Sequence, residues 1–101
     1  MSKISDRDPI EHEIGCEPDT FRACVARSLK AGIFDSGLGI RVGDSIRIVE
    51  CFKQEFPVPL GSWAVFRVTY VTSNFIGLAE GFVFASFDGP LASKIVEPSL
   101  P

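Results

Sequence analysis

A chain of 101 residues with a formal charge of -3 is the size of one domain, since independent cores usually need roughly 50 to 200 residues. With 46% of its residues hydrophobic, and Phe the commonest aromatic, it can bury a core without staples. The acidic balance argues against a general polyanion binder, and no apolar run approaches the ~18 residues of a transmembrane helix, so no membrane partner is expected.

In chain order, residues 1–9 are polar and end in Asp8-Pro9, which predicts a flexible lead-in to a single domain over 10–90. The lead-in lacks the apolar segment of a secretion signal, and a cytoplasmic location is expected. Ile10 to Ile14 alternates weakly and predicts a short strand. Pro18 suits the first position of a helix, where a missing N–H costs nothing, and Asp19 favours the helix dipole. Phe21, Cys24, Val25 and Ser28 recur at helical spacing, so one amphipathic helix is predicted over 18–29.

From Ala31 to Gly43 the pattern changes. Asp35-Ser36-Gly37-Leu38-Gly39 is turn chemistry, and Val42-Gly43-Asp44 is a tight turn that launches a strand over 44–52 with Ile46 and Ile48 on one face. Pro57-Val58-Pro59-Leu60-Gly61 blocks regular pairing and predicts a loop or an edge. The densest strand runs from Ser62 to Thr72. One face carries Trp63, Val65, Arg67, Thr69 and Val71, the other Ala64, Phe66, Val68, Tyr70 and Thr72. Both are largely apolar or β-forming, as in a strand covered on both sides or curled into a barrel. Asn74 to Gly81 is a connection, and Phe82 to Phe87 a second dense strand. From Asp88 the chain is predicted extended and partly loose, with 91–101 as a C-terminal tail. The expected class is α+β: a small curved antiparallel β-barrel with one main N-terminal helix.

Cys16, Cys24 and Cys51 are odd in number and form no CxxC pair, which predicts reduced, structural thiols. His12 is the sole histidine, so a zinc site would have to join it to distant thiols, and no metal or other cofactor is expected. His12 itself is predicted to start a strand and to make one backbone hydrogen bond. Gly77-Leu78-Ala79-Glu80-Gly81 lacks the Lys-Ser/Thr and the following helix of a phosphate loop.

The order His12, Ile14, Pro18, Phe21, Val42-Gly43-Asp44, Arg67-Val68-Thr69-Tyr70 and Gly77-Leu78-Ala79-Glu80-Gly81-Phe82-Val83 resembles a phage- and bacteria-associated branch of the ASCH superfamily. The resemblance runs over most of the chain and implies a PUA-like barrel. Its Gly-x-Lys-x-x-Glu-x-Arg motif falls in gapless register on Arg27, Leu29, Gly32 and Phe34. Family members that hydrolyse modified nucleosides look to need the Lys and an acidic group for acid–base work. Leu29, Gly32 and Phe34 supply neither, so no catalytic residue is expected; a residual amidohydrolase would have to use Lys30 and Glu50.

Two kinds of binding remain. Lys30, Arg41, Arg47 and Arg67, with Lys53, could track phosphate while Tyr70 or Trp63 stacks a base; the plainer reading makes them outward charges and barrel aromatics. Phe34, Leu38, Ile40 and Phe75 fall in predicted loops, where they either cover the barrel mouth or form an exposed patch for a protein partner. Erased charges, small size and acidity favour the protein partner, as in a small phage- or prophage-type protein docking on a host nucleic-acid-handling or defence complex. An RNA- or nucleotide-binding module is the alternative.

Overall fold

The computed structural model describes residues 8–52 and 59–96. In chain order the elements are β1 (Glu11–Cys16), α1 (Pro18–Val25), β2 (Ala31–Asp35), a 3-10 turn at Ser36–Leu38, β3 (Ser45–Cys51), β4 (Pro59–Thr72) and β5 (Phe82–Lys94). The strands form one sheet in the order β1-β3-β4-β5-β2, curled into a half-barrel. Neighbours are antiparallel except β1 and β3, which run parallel. The expected α+β class with a small curved sheet is what forms.

Alternation builds the core. Ile46 and Ile48 of β3, Ala64, Phe66 and Val68 of β4, and Ala85 and Phe87 of β5 all turn to the concave face. Helix α1 lies against that face through Phe21 and Cys24. Pro18 sits at its N-terminus and Asp19 in its first turn, as their preferences dictate. Among the described residues no helix is long and apolar enough to cross a membrane.

The helix stops at Val25, short of the predicted 29, and its end explains why. Arg27 takes a left-handed φ of 66°. The Ser28 N–H then reaches the Ala23 carbonyl at 2.9 Å and the Arg27 N–H reaches that of Cys24 at 3.0 Å. This is the paired hydrogen bonding of a Schellman cap, at whose left-handed position Gly is usual. Arg27→Gly is therefore expected to raise stability by about 0.5–1 kcal/mol in urea unfolding. A loss instead would mean that the arginine side chain contributes more than the backbone strain costs.

Four further differences from the sequence reading have physical causes. Ala31 to Asp35, taken as part of a turn region, forms β2, because β5 offers it a partner that its own weak β-propensity does not reveal. Pro59 to Gly61 belongs to β4: Pro59 is the first strand residue, where the missing N–H is tolerated. β5 continues to Lys94, pairing with Trp63, so residues 88–94 are strand. The lead-in over 1–7, Lys53, Pro57-Val58 and the tail over 97–101 lie outside the described residues.

The fourth difference concerns faces. The register between β4 and β5 shifts between Val68 and Tyr70. Such a bulge sets two residues against one and inverts the alternation beyond it, so Val71 packs on the core while Tyr70 is exposed. A second shift sets Gly89, Pro90 and Leu91 against Phe66 alone. Gly89 has φ 142°, and a Cβ there would stand 2.9 Å from the Leu91 nitrogen and 3.0 Å from the Phe66 ring. Glycine is required at that position.

Candidate functional site

Asp44 ends the Val42-Gly43-Asp44 turn and is fully buried. Its carboxylate stands 2.8 Å from His12 Nε2 and accepts from the Ile10 N–H at 3.1 Å and the Arg41 N–H at 3.0 Å. Its backbone carbonyl takes the Val68 N–H at 2.8 Å, while the Gly43 N–H reaches the Val68 carbonyl. The node thus ties β1, the turn and β4 together. His12 is the residue whose expected partner changes: it faces a carboxylate, not a backbone group, because β1 runs parallel beside β3 and brings His12 opposite Ile46. The node is enclosed and structural.

The three thiols are free. Burial, with the neighbouring Cys24, Cys51 and Glu50 adding to it, pushes the Cys16 thiol up to about 12, and burial also raises Cys24. A thiol so raised is a poor nucleophile and a poor metal ligand. At pH 8, native Cys16 holds on the order of 10⁻⁴ thiolate, so its alkylation by iodoacetamide is expected to be ~1000-fold slower than in the urea-unfolded chain. The sign on stability follows. The unfolded thiol ionises near its ordinary value of 9.0 while the folded one holds its proton to about 12, so this contribution is present below pH 9 and is lost as pH rises from 9 to 12. Equal alkylation rates in both states would refute the burial argument.

Two cavities border α1. One, of about 690 Å³, lies between the helix and the end of β4 and is mostly apolar, with Arg22, Glu50 and Ser62 on its wall. Arg22 bonds the exposed Asp19 at 3.2 Å, and Ser62 Oγ accepts the Val96 N–H at 2.8 Å. The other, of about 420 Å³, is made by the β5 bulge and holds Arg27, Leu29, Lys30 and Asp88 over the Phe66 and Phe87 rings. Lys30 and Glu50 line different cavities, so the pairing that a residual amidohydrolase needs does not form here. Among the described residues no group of His, Cys, Asp and Glu is placed to hold a metal.

The basic candidates divide. Arg47 and Arg67 share the convex face of β3 and β4 as diagonal neighbours, since Ser45 faces Arg67 and Arg47 faces Val65. Arg47 lies 4.2 Å over the Trp63 ring, a cation–π contact. Each arginine also has a carboxylate residue in register on the next strand, Glu13 for Arg47 and Asp88 for Arg67. Tyr70 is exposed on the same strand, beside Thr69, whose Oγ1 is 2.9 Å from Ser86 Oγ. Lys30 is at the second cavity, and Arg41 is in the β2–β3 connection with its N–H on Asp44. The five do not form one stripe.

The apolar candidates divide too. Ile40 is 7% exposed and belongs to the core, and Phe34 is a β2 residue packed against that core, not a loop residue. Leu38 (44%) and Phe75 (52%) are exposed. Phe75 stacks on Phe84, centroids 4.6 Å apart and planes within 7°. Phe84 is in register with Ile33 of β2, which is 61% exposed, and Ile76, next to Phe75 in the chain, is 95% exposed. Phe82, exposed and two residues from Phe84 on the same face, extends the patch and stands in register with Asp35. Sequence reasoning missed Ile33, Phe82, Phe84 and Ile76, because the patch exists only once β2 pairs with β5. Recognising Ala31–Asp35 as a strand would have found Ile33.

Fold and site together define a small α+β half-barrel domain whose most developed exposed feature is an apolar patch at the β2 edge. No family model matches this chain, and no curated protein does.

Proposed function

We propose that this chain is a non-catalytic binding module, of the PUA-like barrel type seen in the ASCH superfamily, that works by docking a protein partner on the patch around Phe75, Ile76 and Phe84. The observation that carries the reading is Ile76, 95% exposed beside the Phe75–Phe84 stack. A large aliphatic side chain left in water next to stacked rings is the composition of an interface centre. Asp35, in register with Phe82 on the same face, favours a partner that presents an apolar protrusion beside a basic side chain. Such a partner is in keeping with a phage-type protein acting on a host nucleic-acid-handling complex. The ASCH-type register gains support from Arg27, whose φ of 66° suits the glycine that the motif carries there.

The test is capture of a partner by the wild-type chain and by Phe75→Ser/Ile76→Ser from the same extract. A protein retained by the first and lost with the second supports the reading, and equal recovery, or none from either, overturns it.

A second reading rests on Arg27 and Lys30 at the 420 Å³ cavity. Two cations against the single carboxylate of Asp88 leave this cavity, with Phe66 and Phe87 in its wall, net positive, which suits an anionic ligand such as a nucleotide or a short RNA. Titration with a short RNA should then show salt-dependent binding that Arg27→Ala and Lys30→Ala each weaken. Absence of binding at low ionic strength would refute it.

A further inference from the structure

We propose that β2 pairs edge to edge with β2 of a second copy of this chain, joining two half-barrels into one continuous sheet about a two-fold axis at Ile33. The two sheet edges differ. β1 exposes Glu11 and Glu13, charges of the kind that keep an edge single. β2 is paired on one side only and has neither proline nor charge between Ala31 and Phe34.

The hydrogen bonds show which groups β2 leaves open. At its two ends, the Phe87 N–H bonds the Lys30 carbonyl and the Ser36 N–H bonds the Gly81 carbonyl, both at 2.9 Å. In an antiparallel ladder the bonding direction alternates residue by residue. Lys30, Gly32, Phe34 and Ser36 therefore face β5, and the N–H and C=O groups of Ala31, Ile33 and Asp35 face outward. No hydrogen bond among the described residues reaches those outward backbone groups.

This outward set is complementary to itself. An antiparallel copy centred on Ile33 sets Ile33 against Ile33 and Ala31 against Asp35, and each pair exchanges both of its N–H···O=C bonds. The two-fold axis makes the pairing antiparallel: Lys30 of one copy faces Ser36 of the other on the concave side, Asp35 faces Ala31 on the outer side, and no like charges meet. Ile33 buries against its copy and extends the outer row of Thr72, Phe84 and Ile33 across the joint. On the concave side Gly32 faces Phe34 of the copy, so no bulky pair clashes there. The inference does not depend on the partner proposed above: Phe75 and Ile76 lie on the outer face, outside the backbone pairing, and would be presented twice by the dimer.

Sedimentation equilibrium tests it. At roughly 100 µM, where a micromolar Kd fills the complex, the wild-type chain should sediment at twice its own mass. Ile33→Lys should sediment as a single chain with an unchanged far-ultraviolet circular dichroism spectrum. If Ile33→Lys fails to fold, Ile33→Cys replaces it. Under mild oxidation it should link two chains at least 10-fold faster than Thr72→Cys, which lies two strands from the axis. A single-chain mass for the wild type, a dimeric Ile33→Lys, or equal linking by the two cysteine variants each overturns the proposal. Equal partner recovery by the wild-type chain and by Phe75→Ser/Ile76→Ser, or none from either, would leave these masses unchanged, so the two readings fail separately.

Discussion

Asp44→Ala is expected to lower stability by about 3–5 kcal/mol, a large part of the roughly 5–15 kcal/mol that holds a domain of this size. The carboxylate it removes is fully buried and accepts from Ile10 and Arg41 while facing His12 at 2.8 Å. Alanine leaves two backbone N–H groups and a buried imidazole without that partner, and each orphaned buried group costs about 1–3 kcal/mol. The same turn holds β4 through the Asp44 carbonyl and the Val68 N–H, so the damage spreads from β1 to the centre of the sheet. Urea unfolding checks it: with a slope near 1 kcal/mol/M the midpoint should fall by about 3 M or more. Asp44→Asn keeps the shape and an acceptor, and its loss should be about half as large. A midpoint within ~0.5 M of wild type for Asp44→Ala would show that water replaces the carboxylate at little cost.

Phe66→Ala should be as severe, at about 3–5 kcal/mol. Phe66 is buried at the centre of β4, its ring tilted 57° to that of Phe87 at 5.2 Å, with Gly89 pressed against its edge. Removing the ring opens the core into the 420 Å³ cavity that Phe66 already walls. The Gly89–Leu91 bulge, shaped around that ring, can refill the space only by giving up its own register. A melting temperature lower by roughly 12–40 °C is expected for a domain of this length. A fall of only a few degrees would mean that the bulge collapses inward and that the cavity is soft.

Both sites were partly legible in the chain. Phe66 is predicted on one face of the densest strand, with Ala64 and Val68, and the structure buries all three. Val42-Gly43-Asp44 is legible as a tight turn, because glycine at a positive φ before a strand is local chemistry. What Asp44 holds was not legible, since His12 lies far off in the sequence and meets it only through the parallel pairing of β1 with β3. The arginine at the helix end hid a stop that glycine would have announced. Tyr70 and Val71 exchanged faces because a bulge is set by the partner strand and leaves no mark in hydrophobic alternation.

By itself the sequence determined the class of the protein: one helix opened by Pro18 and Asp19, strands alternating through Ile46-Ile48 and Ala64-Phe66-Val68, and a curled sheet. These follow from periodicity and backbone preference, which act over a few residues. Only the tertiary structure decided which surface is available. Ile40 and Phe34 went to the core, Lys30 and Glu50 to separate cavities, and Ile33, Phe84 and Phe75 came together at an edge. The physical reason is that β2 is a weak strand on its own, and its pairing with β5 settles which side chains face water and which backbone groups remain open.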